Sequence, residues 1–159
     1  MNENGDIALV IDRTALIENL LNQVIENFCS PRQDAFLFFW SVLLDSSIMP
    51  MGSKVKAAMA ISQELEAKLD QNAIHNLVSL RNAFAHHSVN SHPTLLVGET
   101  PEKDEVHFTL QIISNSGKVS RKRREDALAE FHISFDAAKE SLSALILLVQ
   151  KKLQSDRDA

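Results

Sequence analysis

The stretch Ile17-Glu18-Asn19-Leu20-Leu21-Asn22-Gln23-Val24-Ile25-Glu26-Asn27-Phe28 decides the fold class. Its apolar residues stand at 17, 20, 21, 24, 25 and 28, the i, i+3, i+4, i+7 spacing of one buried helix face. Extended outward, the pattern predicts a helix over 7–28. Cys29 follows Phe28 and reads as a small buried hydrophobe. Ser30, Pro31 and Gln33 then have the chemistry of a capping box with proline in the first helical position. The helix they predict, about 31–45, carries Phe36, Leu37, Phe38, Phe39, Trp40, Val42, Leu43 and Leu44. A helix apolar nearly all round belongs at the centre of a bundle or in a subunit interface.

Asp45-Ser46-Ser47 and Pro50–Gly52 break that helix, and Ser53 is placed to cap a third over 54–69. A fourth follows over 71–87, or continues the third past a kink near Asp70. Beyond His87 the texture changes. Ser88–Pro93 reads as a loop and Thr94–Val97 as a short strand. Val106, Phe108, Leu110 and Ile112 alternate with His107, Thr109 and Gln111, the period of a strand covered on one face. Ser114-Asn115-Ser116-Gly117 is a turn, from which 118–124 returns as the second strand of a hairpin. Ser134 is placed to cap a last helix over 134–153 with the stripe Phe135, Ala138, Leu142, Leu145, Ile146, Val149 and Leu153, and a frayed tail closes the chain at 155–159. The expected fold is mainly α: a single domain over 1–159, a four- to five-helix bundle with a small β-hairpin (about 94–124) inserted before the C-terminal helix.

Composition agrees. At 159 residues, 45% hydrophobic and 23% charged, the chain is an ordinary globule, and four glycines and four prolines are too few for an all-β sandwich or barrel. A single cysteine excludes an internal disulfide framework. No signal-peptide pattern opens the sequence, and its longest apolar runs fall short of the roughly 18 residues of a membrane span, so the expectation is a cytoplasmic protein with no membrane contact. A net charge of −5 argues against nucleic-acid binding over the whole surface and leaves room for a local basic patch.

Two segments carry chemistry. In Leu80-Arg81-Asn82-Ala83-Phe84-Ala85-His86-His87, Arg81 falls near the middle of the apolar stripe made by Ile74, Leu77, Val78, Leu80, Phe84 and Ala85. A guanidinium there snorkels out, pairs with a carboxylate, or serves an anion site. His75, Ser79, Asn82 and His86 form a polar ridge on the neighbouring face. The second segment holds Lys118, Arg121, Lys122, Arg123 and Arg124, five of the sixteen Lys and Arg residues in seven positions. It reads either as a charged edge strand that discourages aggregation or as a clamp for a phosphate backbone. No aromatics interleave with it, and Glu125-Asp126 blunts it. His75, His86, His87 and His92 lack the partners and spacing of a metal site, and no glycine-rich phosphate loop is present, so neither a metal nor a cofactor is expected.

Arg81-Asn82-x-x-x-His86 resembles the Arg-x4-6-His motif of the HEPN (higher eukaryotes and prokaryotes nucleotide-binding) domains. Leu44-Asp45, Pro50-Met51-Gly52-Ser53-Lys54-Val55 and the helix leading to His86 resemble the mannitol-operon-repressor-like (MltR-like) branch of that superfamily. The resemblance covers about 7–90 and the terminal helix, but not the hairpin. It implies a homodimer in which two Arg/His motifs face one cleft, acting on RNA as a metal-independent endoribonuclease of toxin or defence type, with a cognate antitoxin or regulatory protein as a further partner. Its alternative is a non-catalytic regulatory module working through protein or ligand contacts. In the enzyme reading His86 is the general acid–base, Arg81 steadies charge on the phosphoryl oxygens, and Asn82 orients His86 or the phosphate. His75, His87, Lys118, Arg121, Lys122, Arg123 and Arg124 are then the RNA- or phosphate-binding candidates. Residues five apart point about 140° apart on a continuous helix, so Arg81 and His86 converge only if the helix ends there or a second copy lies opposite.

Overall fold

The computed structural model of the chain describes residues 3–86, 92–96 and 105–157, with side chains over 5–86 and 109–155. In chain order the elements are α1 (Glu3–Cys29), a 3-10 turn (Gln33–Ala35), α2 (Phe36–Phe38), a π turn (Phe39–Leu43), α3 (Met51–Glu64), α4 (Gln71–Ala85), β1 (His92–Leu96), β2 (Glu105–Ile113), β3 (Val119–Arg123) and α5 (Arg124–Arg157). The protein is mainly helical, with the β2–β3 hairpin before the last helix, as the periodicities predict. β1 adds a third antiparallel strand, in the order β1-β2-β3.

The residues form two compact units, Met1–Thr14 with Asn72–Phe135 and Ala15–Gln71 with Asp136–Ala159, so that α1 and α5 each contribute to both. In the first unit, Val10 of α1, Ile74, Leu77, Leu80 and Phe84 of α4, Leu110 and Ile112 of β2, and Ala127 and Phe131 of α5 are buried. The register sets Leu110 opposite Lys122 and Ile112 opposite Ser120, with Thr109 opposite Arg123 and Gln111 opposite Arg121 on the other face. In the second unit, Ile17, Leu21 and Val24 of α1, Val55, Ala58 and Ile61 of α3, and Ala138, Leu142, Leu145 and Val149 of α5 form the core. Most of each helical stripe read from sequence packs inward, while Phe28 and Ala85 at the stripe ends are exposed.

Several boundaries differ from expectation, each for a local reason. Ser30 ends α1 instead of capping the next helix: it sits at φ +44°, and its N–H donates to the Glu26 carbonyl at 2.8 Å. The segment after it is no regular helix. It passes from 3-10 to α to π geometry, with the Leu44 N–H reaching the Phe39 carbonyl five residues back. Nor is it central, since Leu37 is 77%, Phe38 58% and Ile48 61% exposed. Cys29 is exposed rather than buried, and local desolvation raises its thiol pKa. α3 begins at Met51 without a side-chain cap from Ser53, and ends at Glu64. Glu66 at φ +52° turns the chain before α4, which ends at Ala85 rather than His87.

α5 starts ten residues before the predicted Ser134 cap. Glu125 and Asp126 lie in its first turn, where carboxylates favour a helix N-terminus. Ser134 is buried inside the helix. The tail continues as helix to Arg157. Of the predicted loop Ser88–Pro93 and strand Thr94–Val97, His92–Leu96 is strand; 87–91 and 97–104 lie outside the described residues. Among the described residues no helix is long and apolar enough to cross a membrane.

Among the described residues each unit buries one cation. Lys54, 1% exposed, sets its Nζ 2.6 Å from Glu18 Oε1, which also accepts the Ser46 hydroxyl. Arg124, 3% exposed, sets its Nε 3.1 Å from Asp6 Oδ2 and lies over the Phe84 ring at 5.5 Å. Removing one partner of such a pair leaves the other desolvated without compensation, which costs about 3–5 kcal/mol. Glu18→Ala is therefore expected to lower the urea-unfolding free energy by roughly 3 kcal/mol. The double substitution Glu18→Leu with Lys54→Met, which removes both charges, should cost clearly less than Glu18→Ala alone. Equal losses would show that the pair is not what holds this region.

Candidate functional site

α4 forms because Ile74, Leu77, Leu80 and Phe84 recur every three or four residues and bury one face, leaving the rest to polar side chains. His75, Ser79, Asn82 and His86 follow one line along the helix. Their positions on a 3.6-residue turn differ by no more than about 60°. His75 is half-buried, Asn82 exposed, and His86 exposed in the turn just past the last residue of α4. The His86 N–H still donates to the Asn82 carbonyl at 3.1 Å. α4 ends at Ala85, but this bond carries the helical ladder on to His86, so the two groups stay about 140° apart around the axis and a second copy lying opposite is the remaining way for them to converge.

Arg81 is half-buried, and its Nη1 donates to Asn82 Oδ1 at 3.2 Å. Among the described residues no carboxylate pairs with it. Of the readings open for this residue, a buried ion pair is therefore not the one realised. His87 lies outside the described residues.

The basic segment is sorted by the pleat of β3, on which Val119, Arg121 and Arg123 are exposed while Ser120 and Lys122 are half-buried. Lys118 is exposed beside the turn. Lys122 forms an ion pair with Glu130 of α5, so it is no free phosphate ligand. Arg124 departs furthest from expectation: buried against Asp6 and Phe84, it is a core anchor and not part of a surface clamp. Its place at the first residue of α5, rather than on the outer face of β3, is the cause.

Sequence reasoning missed a second cluster. Asn72, His75, Asn76 and Ser79 of α4 face the hairpin turn Ser114–Ser116 across a cavity of about 320 Å³. Asn76 Nδ2 donates to Glu130 Oε1 and to Ser134 Oγ, each at 2.9 Å, and the Ser79 hydroxyl donates to the His75 carbonyl at 2.9 Å. The turn is closed by Gly117 N–H to the Ser114 carbonyl and Ser114 N–H to the Lys118 carbonyl, both at 2.9 Å. Gly117 sits at φ +80°, a conformation glycine adopts without a side-chain clash. The run of Asn and Ser at 114–116 was legible as a turn, but nothing local in it says that it faces α4.

Glu130 ties β3, α4 and α5 together through Lys122 and Asn76. Desolvation would raise its carboxyl pKa; the Lys122 and Asn76 hydrogen bonds and the Lys122 charge outweigh that and hold it below the usual carboxylate range. Among the described residues no three His, Cys, Asp or Glu side chains are grouped to hold a metal ion. Comparison of the chain with protein-family models, curated proteins and solved structures found no match.

A carboxyl pKa lowered by folding stabilises the folded state above the unfolded value, about 4.3 for glutamate. That stabilisation is lost as the pH falls through the lower folded value. Glu130→Gln should therefore reduce stability at pH 7 and flatten the loss of stability below about pH 4, read from urea unfolding across pH 2.5–7. An unchanged acid limb would show that Glu130 carries no such linkage.

Proposed function

We propose that this chain binds RNA through the C-terminal end of α4 and the outer face of β3, and cleaves it without a metal ion through Arg81 and His86. The observation that carries the reading is the exposure of His86 at the end of α4, with Arg81 and Asn82 one turn upstream and joined by a hydrogen bond. The carbonyl end of a helix is partially negative and does not itself attract phosphate, so any anion held there depends on the Arg81 guanidinium. In the proposed reaction the ribose 2′-oxygen attacks phosphorus, an imidazole takes the 2′-proton, and the bond from phosphorus to the 5′-oxygen breaks as that oxygen receives a proton. A cyclic 2′,3′-phosphate and a 5′-hydroxyl result. Two proton transfers in one step call for two groups, which a second copy of the chain supplies in the HEPN-like reading. Arg121 and Arg123, about 6.8 Å apart along one face of the strand, together with Lys118, would hold the flanking backbone.

A second reading, a regulatory module acting through protein contacts as in the MltR-like branch, is favoured by the exposed apolar residues Phe36, Leu37, Phe38, Val42, Leu43 and Ile48. Large apolar side chains left exposed together in one short segment are the material of an interaction site. We place a second copy of the chain there.

Incubation with single-stranded RNA in EDTA separates the two readings. The enzyme reading expects cleavage that falls by about 100-fold or more in Arg81→Ala and in His86→Ala. RNA that is bound but never cut leaves the regulator, and RNA that is not bound at all overturns the proposal. Replacing Arg121 and Arg123 together by alanine should make log K against log salt shallower by roughly 1.4, since each phosphate contact on a single strand contributes about 0.7. For the apolar face, light scattering should show a dimer that Leu37→Asp converts to monomer; a monomeric wild type at every concentration removes the second copy from that face.

A further inference from the structure

The cavity between α4 and the hairpin turn has a lining unlike the rest of the proposed interface. Its side chains are amides, hydroxyls and one imidazole, with no Lys, Arg, Asp or Glu among them. A phosphate would find no counter-charge there, and an aliphatic ligand would strand its donors and acceptors. Asn76 and Ser79 already have partners in Glu130, Ser134 and the His75 carbonyl, so they form a fixed floor. Asn72 and Asn115 are exposed and His75 is half-buried. Two carboxamides, each offering both a donor and an acceptor, and a planar ring are the groups that read the edge and face of an unpaired nucleobase.

Position adds to the chemistry. The cavity lies along the same line of α4 that ends at His86. At 1.5 Å per residue, the stacking residue His75 lies about 9 Å from Arg81 and about 16 Å from His86 along the axis, so the Arg81 side of the phosphate site is the near one. A phosphate held at Arg81 and His86 therefore leaves the base of an adjoining nucleotide within reach of the cavity.

We infer that this cavity is a nucleobase subsite, which takes the base of an unpaired nucleotide beside the phosphate held at Arg81 and His86. Asn72 and Asn115 hydrogen-bond its edge, and His75 stacks on its face. The subsite makes RNA recognition depend on base identity, whereas Arg121 and Arg123 contribute binding that ignores sequence. It rests on the reading of Arg81 and His86 as the phosphate-directed pair.

The test is nuclear magnetic resonance titration of the full chain with the four nucleoside 5′-monophosphates and with ribose 5-phosphate, which carries no base. At least one nucleotide should shift the His75 and Asn115 signals saturably, while ribose 5-phosphate shifts only those of Arg81, Asn82 and His86. Asn115→Ala, a change in an exposed turn, should weaken that nucleotide about tenfold, the worth of one hydrogen bond of about 1.4 kcal/mol, and leave ribose 5-phosphate unaffected. If every nucleotide and ribose 5-phosphate shift the Arg81 and His86 signals alike and leave the cavity silent, the subsite is overturned and the phosphate site stands. If nucleotides shift the cavity but never Arg81 or His86, the base subsite stands and the phosphate reading fails. No shift with any probe overturns both.

Discussion

Among the described residues two cations are buried, and both are answered by carboxylates of α1. Lys54 meets Glu18, and Arg124 meets Asp6. An ammonium or guanidinium taken out of water is tolerated only where a carboxylate and further hydrogen bonds replace its hydration. That requirement sets α1 against the start of α3 in one unit and against the start of α5 in the other. Apolar stripes decide which faces pack, but they slide at little cost. A charge pair at fixed positions does not.

The basic segment is divided by the same requirement. Lys118–Arg124 reads in sequence as one run of charge, yet its members have different fates. The pleat of β3 turns Arg121 and Arg123 outward and leaves Lys122 to Glu130, while Arg124 starts a helix and goes inside. Glu130, held ionised by Lys122 and Asn76, links the inward side of β3 to α4. The exposed arginines and the polar ridge are thus parts of one unit.

The apolar run Phe36–Leu44 was expected either at the centre of a bundle or in a subunit interface, and the fold excludes the centre. Its backbone passes through three kinds of helical turn; Phe36, Leu37, Phe38, Val42 and Leu43 are exposed, while Phe39 and Trp40 are half-buried. A regular helix would carry the run on one continuous surface. The change of pitch at the π turn gives Leu44, which is buried, a direction different from that of Leu37 and Phe38.

Much of the architecture was legible in the chain itself. Stripes at 17–28, 74–84 and 135–149 and the alternation at 106–112 place the three longest helices and the hairpin, because burial of one face imposes a period that sequence records directly. Part of the candidate site was legible for the same reason: the ridge His75, Ser79, Asn82 and His86 is a helical period, and α4 realises it. What lay beyond the sequence was every feature set by contact between distant segments. Arg124 was read as surface charge because its partner Asp6 is 118 positions away. Ser134 was read as a cap because nothing nearby shows Asn76 donating to it. The cavity facing Ser114–Ser116 exists only once the turn is folded onto α4. Periodicity is a property of one segment and survives in the order of its residues; a pairing or a cavity belongs to two segments at once, and only the folded chain brings them together.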